Sequence, residues 1–546
     1  MVRLCIRRSC DPCALFEDAW FEVLLVRTNI VSEVRGGMSA IVGAVLDVFF
    51  DRHGHDMQQA GVQLQLHNGK SVRVFANLSA VIADEAALHA IYTCKGSSGL
   101  KPCLHCQNVF NSRMRPEIFT ASPAGLAQPH TCVDIGRFVL HTPDTIAAIA
   151  SRLERASSQM TSRDFSELQT RLGWNYSPHG VIMNPRWLQL IDPTRTSMFD
   201  WMHVYFVTGI FNVQVGQLMH VLRSHGIYYA SLHTYICKWH WPGHVSSSTA
   251  NDVFSPKRAK ASSDDKVLKA TASECLSLFP VLAHFVQSMN STALQQHAAA
   301  FLLLVKVVEM IQASARKPVS ADTLRCAIGA HLRSFKALYG EEAMTPKFHY
   351  SVHFPVYLER YGMLPSCYVL ERKHKLPKRF GNELRNTSIA WETSVMRDVT
   401  AHHLATLAGK ALFQTQAALV NPHPARQRAL SFLQAEFEAP GREFETSRVA
   451  RINKYECCHV GDIVMVQIGD DRFIGEIAMH AALELDGDKH TFSSLWRWQF
   501  SSQGERSTKW IRTRLNPCMC MTDEILCACI WAGDGDIATV LKPHRV

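Results

Sequence analysis

The sequence predicts an α/β chain that ends in a small all-β unit, and three observations support this prediction. The alternating stretch GVQLQLHNGKSVRVFANL, with its Asn68-Gly69 turn, predicts a β-hairpin, and the following AVIAD predicts a buried strand ending on an acid. Long stretches in the middle of the chain have apolar residues at helical spacing. Beyond Pro440, short alternating runs separated by Asp, Gly and Ser predict a small barrel of the SH3-like type.

The composition is that of a globular protein with several domains. The chain has 546 residues, of which 47% are apolar and 19% charged, so a disordered chain is excluded. Its formal charge of +9 permits contact with nucleic acid. With 17 cysteines and no signal-peptide pattern, we expect free thiols and metal ligands in a reducing compartment. The longest apolar run, 298–305, is too short for a membrane span, and none is expected.

The pattern along the chain predicts five segments, which differ in the periodicity of their apolar residues. They are an N-terminal helical segment (1–55), the first part of an α/β core (56–144), a helical insertion (145–345) with an exposed linker near 243–268, the closing part of the core with a basic helix (346–435), and the small β domain (445–546).

A pair of cysteines after a Gly-rich loop indicates a metal site. Cys103 and Cys106 have the spacing at which two thiolates on one knuckle share a zinc ion. A closed zinc site needs four ligands, and the nearest later donors are His130 and Cys132, followed by His141. The sequence therefore predicts Zn²⁺ at a Cys/Cys/His/Cys set. The alternative is that both cysteines are small buried core residues.

Three acidic residues stand where they could carry chemistry, and each also has a structural interpretation. Asp84 ends a predicted strand, and taken alone it is better interpreted as the cap of the helix that follows. Asp200 and His203 are three apart, so on a helix they share a face and could orient one another. Glu371 could bind a divalent metal beside DNA phosphates, or it could lie on a solvated helix surface.

Basic residues surround Glu371 in the stretch VLERKHKLPKRFG. The cations that could neutralise DNA phosphates there are Arg372, Lys373, Lys375, Lys378 and Arg379. The alternative is an amphipathic helix whose basic face is simply in contact with water. Composition alone does not separate these two interpretations.

Taken in order, these motifs resemble those of CACTA-type transposases of the En/Spm group. The resemblance covers residues 60–410 and rests on IADEAAL with Asp84, KPCLHC with Cys103 and Cys106, DWMH with Asp200 and His203, TPKFHY at 345–350, and LERKHK with Glu371. It implies an RNase H-like core interrupted by a helical insertion. It also implies an Asp-Asp-Glu site that binds Mg²⁺ or Mn²⁺ and cleaves and joins double-stranded DNA in the nucleus.

Within this resemblance, Asp84 would be the second aspartate and Glu371 the closing glutamate, with Asp200 and His203 in supporting roles. The first aspartate is expected on an earlier strand. Asp18 and Asp47 are the only local candidates, and both lie in segments predicted to be helical. A truncated or degenerate copy would explain this departure, and it leaves open whether the activity is retained.

The sequence therefore predicts a transposase-derived DNA-binding protein. The alternative is a non-enzymatic chromatin or scaffold protein that uses its C-terminal β domain.

Two further sequence patterns are less specific than the motifs described above. PKRAK at 256–260 could be a nuclear import signal, and the cysteines of the pattern CxC…CxC (Cys518, Cys520, Cys527 and Cys529) could bind a metal or pack in a core. Homo-oligomerisation is left open.

Overall fold

The computed structural model describes residues 2–5, 19–50, 56–114, 126–243, 252–289, 291–383, 391–409, 417–453, 456–485, 487–514 and 517–543. The chain divides into two compact units. The first unit comprises Met1–Phe211 and Met310–Lys410, and the second comprises Asn212–Glu309 and Ala411–Val546. The predicted mixture of helix and strand, with a β-rich C-terminal region, is confirmed.

Within the ranges just given, the first unit is mainly helical, with four small two-stranded sheets. Its helices are α1 (Thr28–Glu33), α2 (Gly37–Phe50), α3 (Glu85–Tyr92), α4 (Pro143–Gln159), α5 (Ser162–Leu172), α6 (Pro185–Leu190), α7 (Trp201–Phe206), α13 (Ala321–Tyr339), α14 (Pro346–Tyr350), α15 (Phe354–Tyr361), α16 (Tyr368–Lys373), α17 (Lys375–Glu383) and α18 (Trp391–Gly409). The strands are β1 (Val2–Cys5), β2 (Trp20–Leu24), β3 (Val62–Gln65), β4 (Ser71–Val74), β5 (Val81–Ala83), β6 (Val109–Phe110), β7 (Gln128–Pro129) and β8 (Ser197–Phe199). β1–β2 and β3–β4 are antiparallel, whereas β5–β8 and β6–β7 are parallel.

The second unit contains the long β-sheets of the molecule. Its helices are α8 (Ile210–Ser224), α9 (Tyr229–Ile236), α10 (Pro256–Asp265), α11 (Ala272–Gln287), α12 (Gln295–Ala313) and α19 (Gln427–Glu436), of which α8 begins and α12 ends in the first unit. The strands are β9 (Trp239–His240), β10 (Ala418–Val420), β11 (His423–Pro424), β12 (Glu445–Ser447), β13 (Val449–Arg451), β14 (Cys457–His459), β15 (Ile463–Ile468), β16 (Asp471–Leu485), β17 (Asp488–Arg497), β18 (Gln499–Gln503), β19 (Ser507–Ile511), β20 (Pro517–Met521), β21 (Ile525–Ala528), β22 (Trp531–Asp534) and β23 (Ile537–Leu541). They form a seven-stranded, a five-stranded and a three-stranded sheet.

Several local predictions are confirmed. The predicted hairpin is β3–β4, and Gly69 in its turn has a φ of +79°, which suits glycine. The strand predicted before Asp84 is β5, which ends immediately before that residue; its three residues are half-buried, so the expected full burial is not found. One local prediction is wrong, because the N-terminal segment 1–55 is not wholly helical. WFEVL forms β2, whose alternation was masked by the apolar residues that follow it.

The predicted insertion at 145–345 does not form a single block. Its first part contains β8, which pairs with β5, and only residues 212–309 fall in the second unit. The predicted linker near 243–268 is also partly wrong, because Pro256 begins α10 and Arg258 makes two hydrogen bonds of 2.8 Å to Glu274. Residues 244–251 of that linker lie outside the described residues.

Helix α12 has the composition of a buried core helix. By length and composition, residues Thr292–Ala313 would also be apolar enough to cross a membrane, with a mean hydropathy of 1.4. A core helix passes the same test, and Phe301, Leu304 and Val308 are buried here. The expectation of no membrane span therefore remains a prediction.

The cysteines of the C-terminal CxC…CxC pattern contribute to a hydrophobic core. Cys520, Cys527 and Cys529 are buried there, and Cys518 packs against the same cluster. Among the residues that the structure describes, these cysteines do not form a group of the kind that could hold a metal ion. The packing interpretation is therefore favoured.

Two helical glycines of the first unit should respond in opposite ways to Gly→Ala. A Cβ on Gly43 would lie 2.4 Å from the Trp187 ring, which Asp47 fixes through a 2.6 Å hydrogen bond. We expect Gly43→Ala to lower the free energy of unfolding by about 1–3 kcal/mol. A Cβ on Gly329 would meet only the mobile end of Arg333, at 3.1 Å. Gly329→Ala should therefore be neutral or stabilise by up to about 1 kcal/mol. Urea unfolding measures both changes, and equal effects would contradict this account.

Candidate metal centre and carboxylate cluster

Two cysteines and two histidines meet in the first unit and could hold a metal ion such as zinc. Cys103 and Cys106 lie on the loop after α3, and His349 and His353 lie one helical turn apart where α14 leads into α15. One ligand atom from each residue lies within 4.8 Å of the other three. His353 Nε2 is 3.3 Å from Cys103 Sγ and 3.7 Å from Cys106 Sγ. Two thiolates and two imidazoles are typical of closed, structural zinc sites.

The environment of these four donors fits a metal. All four side chains are buried, and His349 is only 1% exposed, yet neither of its ring nitrogens has a hydrogen-bond partner among the described residues. Such unpartnered buried atoms cost about 1–3 kcal/mol each. Burial by itself raises the pKa of Cys103, but the contact with Cys106 and the charge of His353 bring this pKa well below its usual value. The resulting thiolate is the form that a metal requires.

Aromatic contacts hold the cysteine loop against the histidine helix. The Tyr350 hydroxyl donates a 2.9 Å hydrogen bond to the carbonyl of Pro102, at the start of the loop. Tyr357 and His105 share a hydrogen bond of 2.6 Å, and the His105 ring lies 4.8 Å from that of His353. These contacts bring together two segments that are distant in sequence, so that a metal would complete an arrangement already organised by packing.

The second pair of ligands predicted from the sequence is wrong. His130 Nε2 lies 3.3 Å from the carbonyl of Met344, and Cys132 Sγ donates to the carbonyl of Asp134 at 3.7 Å, so both side chains have other partners. The prediction takes the nearest donors in sequence, whereas the two histidines that meet the cysteine pair lie about 250 positions away. A usable signal was present in HYSVH, since two histidines spaced i, i+4 on a helix share one face.

Two aspartates lie side by side at the ends of neighbouring parallel strands. In the β5–β8 pair, Ala83 is opposite Phe199, so Asp84 and Asp200 are the next residues on the two strands. The Asp200 amide donates a 3.2 Å hydrogen bond to the carbonyl of Ala83. Sequence reasoning placed Asp200 in a helical insertion and missed the strand SMF, whose apolar run ending on an acid repeats the pattern of VIAD.

Both aspartates also cap helices. Asp84 Oδ1 accepts a 2.6 Å hydrogen bond from the Ala87 amide at the start of α3. Asp200 Oδ2 accepts from the His203 amide at 3.1 Å and lies 2.6 Å from His203 Nδ1. The capping interpretation of Asp84 is therefore confirmed, but it does not exclude a second role, because a carboxylate offers about four acceptor positions.

The helix that carries Glu371 is anchored to Asp200. The Cys367 amide, immediately before α16, donates a 2.9 Å hydrogen bond to Asp200 Oδ1. The Glu371 amide in turn donates to the Cys367 carbonyl at 2.7 Å, so Glu371 follows Cys367 by one helical turn. Asp200, His203 and Cys367 also form a group whose ligand atoms lie within 4.8 Å of one another.

The pKa of His203 reflects the negative charge of this cluster. Burial by itself lowers the pKa of His203, but the hydrogen bond with Asp200 and the negative charges of Asp200, Asp84 and Glu371 raise it above its usual value. Of the three carboxylates, Asp200 contacts the imidazole directly, and Asp84 and Glu371 act on it through their charge alone. Lys347 is also nearby, since its Nζ donates to the carbonyls of His203 and Val207 at 3.2 and 2.7 Å.

Four of the five predicted DNA-binding cations are exposed on α16 and α17, and one is not. Arg372, Lys375, Lys378 and Arg379 are exposed. Lys373 is only 5% exposed, and its Nζ lies 3.5 Å from Glu22 Oε2 and donates to the carbonyl of Trp20. The inclusion of Lys373 was wrong, because a period of 3.6 residues turns this one position of the basic run toward the interior.

The two upstream candidates for a first catalytic aspartate can be placed only in part. Asp47 lies on α2, as expected, and accepts a hydrogen bond from Trp187. Asp18 lies outside the described residues. Comparison of the chain with protein-family models and with curated proteins found no match in either case.

Proposed function

We propose that this chain is a transposase-derived DNA-binding protein whose first unit carries a strand-cleavage centre made of Asp84, Asp200 and Glu371. The observation that carries the proposal is the β5–β8 pair, which sets two aspartates at adjacent strand ends beside the helix of Glu371. In this proposal Asp84 is the first aspartate and Asp200 the second. No earlier aspartate is then needed.

The proposed centre has the donor chemistry that Mg²⁺ or Mn²⁺ requires, because both ions prefer oxygen ligands. Asp84 Oδ2 and the Glu371 carboxylate have no hydrogen-bond or ion-pair partner among the described residues, so both can accept a metal. Bound there, divalent ions would activate water or a DNA 3′-hydroxyl for attack on phosphorus, and they would stabilise the 3′-oxygen that leaves as the P–O3′ bond breaks. The chain itself contributes fixed positions, since Asp200 is held by His203 and Cys367.

The proposed fold is an RNase H-like core. Its support is the parallel β5–β8 pair, which is the part of such a sheet that carries the first two carboxylates. In the described residues, the β3–β4 hairpin forms a separate sheet and does not extend this pair. The zinc-type centre would serve this core as a clamp, because it joins the loop after α3 to the helices that precede Glu371.

We further propose that the exposed cations of α16 and α17 contact phosphates of double-stranded DNA. They lie next to Glu371, so a duplex held by them would place a phosphate beside the carboxylates. A nuclear location follows from such a substrate and remains part of the proposal.

The salt dependence of duplex binding tests this surface. Lys375→Ala combined with Lys378→Ala should weaken binding similarly for all sequences, and it should reduce the slope of log K against log [salt] by about 2, since each phosphate contact contributes about 0.9. Fluorescence anisotropy over a range of KCl concentrations measures this slope.

A control with the same loss of charge is Arg152→Ala combined with Arg155→Ala, on the exposed face of α4. It should leave the slope unchanged. The interpretation of α17 as a solvated surface would be favoured by either of two results. The slope could be unchanged in the Lys375/Lys378 variant, or it could change equally in both variants.

A further inference from the structure

Two tryptophan rings of the second unit meet at nearly a right angle. Trp498 follows β17 and is 1% exposed, and Trp531 begins β22. Their ring centroids are 5.6 Å apart and the rings are inclined by 78°. Two aromatic faces set in this way form a corner in which negative π-electron density points toward a shared space.

A cation of the chain itself occupies this corner. The guanidinium carbon of Arg512 lies 4.9 Å from the centroid of Trp531 and 5.7 Å from that of Trp498, within the distance of cation–π attraction. Arg512 is exposed, and its backbone amide is fixed by a 2.8 Å hydrogen bond to the carbonyl of Asp536. Among the side chains that the structure describes, no carboxylate forms an ion pair with it.

His240 backs one of these rings, because it is stacked on a face of Trp531. It stacks on Trp531 with a centroid distance of 4.3 Å and an inclination of 20°. Burial and the charge of Arg512 lower the pKa of His240, which keeps this ring neutral at physiological pH. The indole N–H of Trp498 has no hydrogen-bond partner among the described residues, although it is buried. We call the corner between Trp498 and Trp531 the aromatic box.

We propose that the aromatic box binds the methylated ammonium group of a modified lysine in a peptide, and that Arg512 occupies the box when no ligand is bound. The chemistry of the box selects this ligand. A methylated ammonium spreads its charge over methyl groups and is recognised by aromatic faces. An unmodified lysine is strongly hydrated, and the rings offer nothing that replaces its water.

Arg512 blocks the aromatic box as long as no ligand has displaced it. Because Arg512 and the ligand compete for the same rings, the affinity of the unchanged protein is reduced by the fraction of molecules in which Arg512 has left the box. Removal of the guanidinium should therefore strengthen binding. This expectation separates a ligand box from a purely structural stack, for which the loss of Arg512 would only weaken the domain.

The test uses the full chain, with Nα-acetyl-trimethyllysine amide as the probe and the ¹H–¹⁵N signals of the indole groups as the readout. We expect Arg512→Gln to bind the probe at least about tenfold more tightly than the unchanged protein. A neutral probe in which a carbon atom replaces the ammonium nitrogen should bind at least about tenfold more weakly to the same variant, because it lacks the charge that the rings attract.

A matched control is Arg497→Gln, which removes another arginine stacked on a ring, 4.3 Å from the centroid of Phe473. This variant should bind the probe like the unchanged protein. The proposal is wrong if Arg512→Gln shows no saturable shift of an indole signal, if the charged and neutral probes bind equally, or if Arg497→Gln strengthens binding as much. The two probes have the same shape, so their comparison does not depend on how a substitution affects folding.

This inference concerns the second unit alone and does not depend on the proposed cleavage centre. Loss of DNA nicking in carboxylate variants would leave it untouched. Failure of the probe to bind would likewise leave the proposed function of the first unit untouched.

Discussion

Asp84→Asn is expected to slow the Mn²⁺-dependent nicking of supercoiled plasmid DNA by more than about 100-fold, because even the outer partners of metal ligands typically account for 10–100-fold. The substitution removes a charged metal ligand but keeps the shape of the side chain. Asparagine also caps helices as well as aspartate does, so the hydrogen bond to Ala87 is retained. The variant therefore separates the proposed metal role from the capping role that the structure shows.

Two controls sharpen this experiment. Asp144→Asn changes an exposed aspartate in the first turn of α4, and Glu359→Gln changes an exposed glutamate on α15. Both variant proteins should nick DNA as fast as the unchanged protein does. Glu371→Gln should match Asp84→Asn. If the unchanged protein does not nick DNA, or if Asp84→Asn nicks it as fast, the proposed cleavage centre is wrong.

Cys106→Ser is expected to remove zinc from the purified protein and to lower its stability strongly. The loss of the metal leaves buried donors without partners, which costs about 3 kcal/mol or more. The first unfolding transition should then fall by roughly 5–10 °C. Metal analysis gives the zinc content, and calorimetry with and without a strong chelator gives the transition temperature.

The control for this experiment is Cys132→Ser, since sequence spacing favoured Cys132 as a ligand and the structure places it elsewhere. It should keep one zinc ion per chain and lose little stability. Equal zinc contents in both variants would contradict the Cys103, Cys106, His349 and His353 set. Loss of zinc from both variants would favour the ligands predicted from the sequence, because that set contains Cys106 as well as Cys132.

The elements that were predicted correctly depend on short-range chemistry. A few adjacent residues determine each of these elements, so local propensity was enough to identify them. They are the Asn68-Gly69 turn, the strand before Asp84 and the CxxC pair. The same holds for the change to β-structure near residue 440.

The parts that were missed depend on contacts between distant segments. His349 and His353 meet Cys103 only after α14 packs against the cysteine loop. The i, i+4 spacing in HYSVH marks the two histidines as a pair, but it does not identify their partners. β8 has three residues, and its role is visible only through its pairing with β5. α10 was assigned as linker because its Ser, Lys and Asp residues have low apolar content, although Glu274 anchors Arg258 within it.

The separation of the zinc-type ligands along the chain has a consequence for biosynthesis. Cys103 and His353 are 250 positions apart, so a ribosome working at 5–20 residues per second needs roughly 10–50 s to supply the second pair after the first. During that interval the nascent thiols can bind metal only incompletely. We therefore expect the two thiols to be most open to oxidation before His353 has left the exit tunnel.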